Sequence, residues 1–158
     1  MYHEYCIPGV IAEEFWLSPN PNHFIGLATY YGDGIMEKVA ERRGLSLNNV
    51  WGGVALMNCG DVGSHVYLKR SPQYEFEGPY LVVDCSQKRH LYYNVVINGL
   101  AVEVDYQTSR RWGMSGGLPF VHVCKTYPNC GAAVTLKSWF ERTVIWDAEE
   151  VPTNVPIP

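Results

Sequence analysis

A chain of 158 residues is long enough for one domain that buries about two-thirds of the surface its unfolded form exposes, and 47% hydrophobic with 18% charged residues excludes a disordered polymer. The net charge of −4, with basic residues scattered as the pairs Lys69-Arg70, Lys88-Arg89 and Arg110-Arg111, argues against nucleic acid as a partner. No apolar run approaches the ~20 residues that cross a bilayer, so no membrane span is expected, and MYHEYCIPGVIAEEFW lacks the basic start and apolar core of a secretory signal. An exported form would therefore already have lost its signal.

Fifteen glycines, ten prolines and eleven tyrosines favour short strands joined by tight turns. Residues 1–24, broken by SPNPN at 18–22, read as an irregular N-terminal arm laid over the domain or reaching to a neighbour. IGLATYY at 25–31 is the first strand. Asp33 is placed to cap the helix IMEKVAERR, whose Ile35, Met36, Val39 and Ala40 share a face, and Gly44 stops it. VALMN (54–58) and HVYLK (65–69) are strands around the turn CGDVGS, and GPYLVVDC (78–85) is an apolar strand ending on an acid. Residues 86–99 read as a loop, AVEVD as a strand, QTSRRWGM as a short helix and PFVHVC (119–124) as a half-buried strand. GAAVTLKSWF and TVIWD are either further strands or part of a C-terminal extension, 126–158, that packs on the domain or on a neighbour. No period of 20–50 residues repeats, which excludes solenoids and propellers.

Five cysteines allow two disulfides with one left over. Cys124 and Cys130 bracket the turn-like KTYPN, and Cys59 and Cys85 each follow an apolar strand, which suits a cross-strand bridge. The odd cysteine, Cys6, is a candidate for an intermolecular bond. With no C-x-x-C and five scattered histidines, no metal site is expected, and no cofactor.

GLATYYGDG (26–34), VALMNCGDVGSHVYLK (54–69), GPYLVVDC (78–85) and AVEVDYQTSRRWGM (101–114), in that order, resemble the double-psi β-barrel of rare lipoprotein A, barwin and expansin-like proteins. The resemblance implies a mainly β fold: a six-stranded double-psi β-barrel over 25–125 with two short helices and extended terminal arms. It also implies a polysaccharide groove and a cell-envelope or extracellular location. Carried over by position, Asp105 stands where relatives keep a groove acid, and Asp84 where the lytic transglycosylases end a strand on an acid. Asp33 is displaced by about one position from the second acid of the cellulases. Tyr30 and Tyr31 match an aromatic pair suited to stacking on a sugar. Met57 stands where the transglycosylases carry a histidine.

Glycoside cleavage by acid–base chemistry needs two carboxyls, about 5–5.5 Å apart for retention and about 6.5–9.5 Å for inversion, one of them holding a proton. Asp84 and Asp105 are the expected pair if they face one cleft. Glu103 alternates with Asp105 and is either a second groove carboxyl or an ordinary strand position. Trp112 is a further candidate sugar platform. Each acid also has a structural reading: Asp33 and Asp105 as helix caps, Asp84 as a buried acid bonded to amides. Two functions follow: a cell-wall polysaccharide enzyme (lytic transglycosylase or glycoside hydrolase-like), or a non-catalytic glycan-binding or self-assembling subunit joined through its terminal arms.

Overall fold

The structure, a computed structural model, describes residues 9–145. In chain order it comprises α1 (Gly9–Leu17), β1 (His23–Tyr30), α2 (Ile35–Arg42), β2 (Gly53–Leu56), β3 (His65–Lys69), β4 (Glu77–Cys85), β5 (Leu100–Val104), α3 (Tyr106–Arg111), β6 (Leu118–Cys124), β7 (Val134–Thr135) and α4 (Leu136–Phe140). Hydrogen-bonded neighbours run β5-β2-β4-β3-β6-β1, and β1 pairs back onto β5. The result is a closed six-stranded mixed β-barrel, with β7 added on the outside of β1. Closure leaves the ring without a free edge.

The pairs β1/β5 and β2/β4 are parallel, and the other four contacts of the ring are antiparallel. This list is unchanged when β1, β2 and β3 are exchanged for β4, β5 and β6. The two halves therefore occupy equivalent places in the ring, although their sequences show no repeat. Each half runs strand, helical connection, strand, helical turn, strand.

The periodicities explain which faces are buried. In β5 and β6 the alternate residues Val102, Val104, Val121 and Val123 point into the barrel and meet Phe24, Val54, Leu56, Val66, Leu68, Tyr80 and Val82. β2 and β4 instead read as continuous apolar runs because both faces are covered. Their outer face carries Leu81 and Val83, which pack under Met36, Val39 and Ala40 of α2. Gly53 permits that contact: a Cβ there would lie 2.9 Å from Cγ of Met36. Each fully buried valine or leucine contributes about 1.5–3 kcal/mol.

Several sequence expectations are corrected. Asp33 does not cap α2; the N-cap is Gly34 at φ 79, with no side-chain bond. The C-terminal stop is as expected: Gly44 at φ 70 donates to Glu41 O and Leu45 donates to Ala40 O, satisfying the last carbonyls of α2. Part of the N-terminal arm is helical, as α1. The loop at 86–99 is helical too, through a 3-10 turn at Lys88–His90 and a π turn at Tyr93–Ile97 that bury Leu91, Val95 and Val96. Beyond the two-residue β7, the segment LKSWFERTVI forms α4 and a π turn at Glu141–Ile145 rather than strands. Phe15 of α1 meets Trp139 and Phe140 of this segment, with centroids 4.9 and 4.7 Å apart, so chain regions from both ends share the barrel's apolar cluster. The outermost parts of both arms, with Cys6, lie outside the described residues.

Among the described residues two disulfides form, Cys59–Cys85 and Cys124–Cys130. Among the described residues no helix is long and apolar enough to cross a membrane, and no group of three or more His, Cys, Asp or Glu side chains is placed to hold a metal ion.

Candidate functional site

Strand register builds the site. Ala55 of β2 lies opposite Glu103 of β5 on one side and Asp84 of β4 on the other, and Glu103 lies opposite Thr29 of β1. Thr29, Glu103, Ala55 and Asp84 therefore form a row across four adjacent strands. In-register neighbours point to the same face of a sheet, so the two carboxyls flank Ala55 on one face, near enough for the charge of Asp84 to act on Glu103. Tyr31, two residues beyond Thr29, donates its hydroxyl to Asp84 Oδ2 at 2.8 Å. Arg43, just past α2, donates to Asp84 Oδ1 at 2.9 Å, and Thr29 Oγ1 donates to Glu103 Oε2 at 2.9 Å.

The two acids sit in unlike surroundings. Burial raises the pKa of Glu103 above the ordinary carboxyl value; the Thr29 hydrogen bond opposes this and the charge of Asp84 adds to it. Asp84 is ion-paired with Arg43. Burial, then the charge and hydrogen bond of Asp84, hold the Tyr31 phenol far above its ordinary value, so Tyr31 stays protonated and remains a donor. One carboxyl biased toward its acid form beside one held by a guanidinium is the arrangement from which acid and base roles separate.

Asp105 is elsewhere. It is 3% exposed and caps α3: Oδ1 accepts from Thr108 N at 2.9 Å, and Oδ2 accepts from Gly53 N at 3.3 Å. A Cβ on Gly52 would stand 2.3 Å from Oδ2, so only glycine lets β2 approach this carboxylate. Asp105 and Glu103, two residues apart, thus serve different partners. Asp33 is exposed, in the loop before α2. Tyr30 is half-buried, opposite Val104, and packs against the barrel's apolar cluster, while Tyr31 packs toward α2.

Trp112 is 8% exposed and donates Nε1 to Glu77 at 2.9 Å. Glu77 also accepts from Tyr80 Oη and, at 3.1 Å, from Arg111. The structure thus groups Tyr31, Asp84 and Glu103, adds Thr29 and Arg43, and leaves Asp33, Tyr30, Asp105 and Trp112 outside that group. Thr29 had a signal in the sequence, since it alternates with Tyr31. Arg43, exposed at the ERRG helix end, had none.

These features define a closed mixed β-barrel with an acidic shelf on its outer surface. A scan of protein-family models, of curated proteins and of solved structures finds no match to this chain.

Proposed function

We propose that the protein is a polysaccharide-directed domain of the cell envelope or exterior, on a double-psi barrel of the rare lipoprotein A, barwin and expansin type. The barrel cleaves glycosidic bonds at the Glu103–Asp84 shelf. The observation that carries this reading is the pair of carboxyls facing each other across Ala55 in contrasting environments. Glu103, whose carboxyl is held above its ordinary value by burial, donates to the leaving oxygen; Asp84 is the counter-carboxylate, positioned by Arg43 and Tyr31. In a transglycosylase one acid serves as both acid and base while the sugar's own hydroxyl closes the ring, so Glu103 alone would suffice. The symmetric pairing of the two halves supports the double-psi topology, and two disulfides support an oxidising compartment.

A second reading rests on a specific observation: both oxygens of Asp84 are already engaged and Asp105 is spent as a cap. That favours a non-catalytic glycan-binding or self-assembling subunit. Incubation with purified peptidoglycan or cellulose separates the two. The cleaving protein releases soluble fragments, and Glu103→Gln or Asp84→Asn lowers release by about a hundredfold or more while a cooperative melting transition shows that each variant is still folded. An unmodified protein that releases nothing from either polymer sinks the enzymatic reading and leaves binding or assembly.

A further inference from the structure

A second group of polar and aromatic side chains lies apart from the shelf, built from three chain segments. Trp51, before β2, is 53% exposed, and the Arg111 guanidinium stands 5.2 Å from its ring centroid. Arg111 is ion-paired with Glu77 at 3.1 Å and donates to Tyr80 Oη at 2.8 Å. Glu77 accepts from Trp112 Nε1, and over the Trp112 ring, 5.2 Å from its centroid, lies the guanidinium of Arg70. Arg70 also stacks 3.9 Å from the Tyr74 ring centroid, and Tyr74 is 42% exposed. Trp51, Arg111, Trp112, Arg70 and Tyr74 thus alternate ring and cation along one surface.

The two cations are not equivalent. Arg111 is neutralised by Glu77, whose carboxylate already receives donors from Tyr80, Arg111 and Trp112. Arg70 has no carboxylate within ion-pair distance among the described residues, although Glu75 is nearby in sequence and exposed. The rings of Tyr74 and Trp112 hold the Arg70 guanidinium in place, and a guanidinium without a carboxylate partner suits a planar anion, which it binds through two parallel bonds. The open indole of Trp51 offers an apolar plate of the kind that a sugar's C–H face covers.

We propose that this ladder binds a carboxylate-bearing sugar, a uronic acid unit of an acidic polysaccharide, with Arg70 on the carboxylate and the exposed ring of Trp51 or Tyr74 under the pyranose. A nucleic acid strand is the competing class of ligand. It is disfavoured because a phosphate backbone calls for a row of uncompensated cations, and the ladder supplies one. The proposal stands on different residues from the shelf and does not depend on cleavage there.

The test uses oligogalacturonate and its methyl ester, in which a methyl group replaces the carboxylate charge, titrated by calorimetry onto the full chain. The expected result is binding of the acid at least about tenfold tighter than the ester, a preference that shrinks with added NaCl. Arg70→Gln should abolish that preference, Arg70→Lys should keep part of it, and Trp51→Ala should weaken acid and ester alike by about tenfold. Arg70 and Trp51 lie at the surface, and an unchanged melting curve shows that the variants are folded. Equal affinity for acid and ester, binding of neither, or binding of single-stranded oligo-dT in place of oligogalacturonate would each overturn the proposal. Loss of fragment release in the shelf variants leaves this binding untouched, so the two readings fail separately.

Discussion

At the end of β2 the chain turns through a 3-10 helix at Cys59–Asp61, and at the equivalent end of β5 it turns through α3. The first corner has Asn58 at its N-cap with no side-chain bond to the turn. It is tied instead by the Cys59–Cys85 disulfide and by Asp61, which accepts from Asn20 N at 2.8 Å and pairs with Lys125 at 3.2 Å. The second corner has no disulfide and is tied by Asp105, which joins α3 to β2 through two amides. Equivalent places in one ring are therefore secured once by a disulfide beside a buried carboxylate and once by a buried carboxylate alone. An acid at such a corner has a structural duty whether or not it has a chemical one.

The comparison can be broken in three places. Replacing both Cys59 and Cys85 by serine should cost about 3 kcal/mol, from the unfolded-chain freedom regained over the closed loop, seen as a lower denaturant midpoint. A loss well below about 1 kcal/mol would hand the first corner to the Asp61 network. Asp105→Ala should cost about 2–3 kcal/mol, combining a lost cap with buried amides left unpaired. Asp105→Asn keeps an acceptor and should recover most of that loss. If Asp105→Ala unfolds at the same denaturant concentration as the unmodified protein, the second corner is not held by its acid.

The smallest effect concerns pH, and it contrasts Asp105 with its neighbour on the shelf. The folded pKa of Glu103 is raised, so the folded state holds its proton more tightly than the unfolded chain does. The associated stability is present below the unfolded value and is lost as pH rises through the raised folded one. Glu103→Gln removes this dependence, so as pH rises above the ordinary carboxyl value the variant should gain stability relative to the unmodified protein. Parallel stability curves for the two proteins would show that burial does not perturb this carboxyl.

Much of the barrel was legible locally. Alternation in HVYLK and PFVHVC marked half-buried strands, the runs in VALM and YLVV marked apolar strands, and Gly44 marked a helix stop. Two segments were read otherwise: LYYNVVI as part of a loop, and LKSWF as a strand or part of a C-terminal extension. Both are helical here because burying Leu91, Val95, Val96, Leu136 and Phe140 against the barrel outweighs propensities of a few tenths of a kcal/mol per residue. Asp33 was read as the cap of α2, one position too early; Gly34, free to adopt positive φ, takes that place.

The candidate site was half legible. Asp105 as a capping acid followed from its place before a helix, and the capping bond to Thr108 is local. The meeting of Glu103 with Asp84 followed from no local pattern, because the intervening residue is Ala55 on a third strand. By itself the sequence determined the strands, the capped corner and the cysteines available for bridges, since those depend on neighbours a few residues apart. Only the tertiary structure decided which acids share a face, because strand order and register are set by closure of the ring and by burial of its apolar side. A slip of one residue would have turned Glu103 inward and left Asp84 without it.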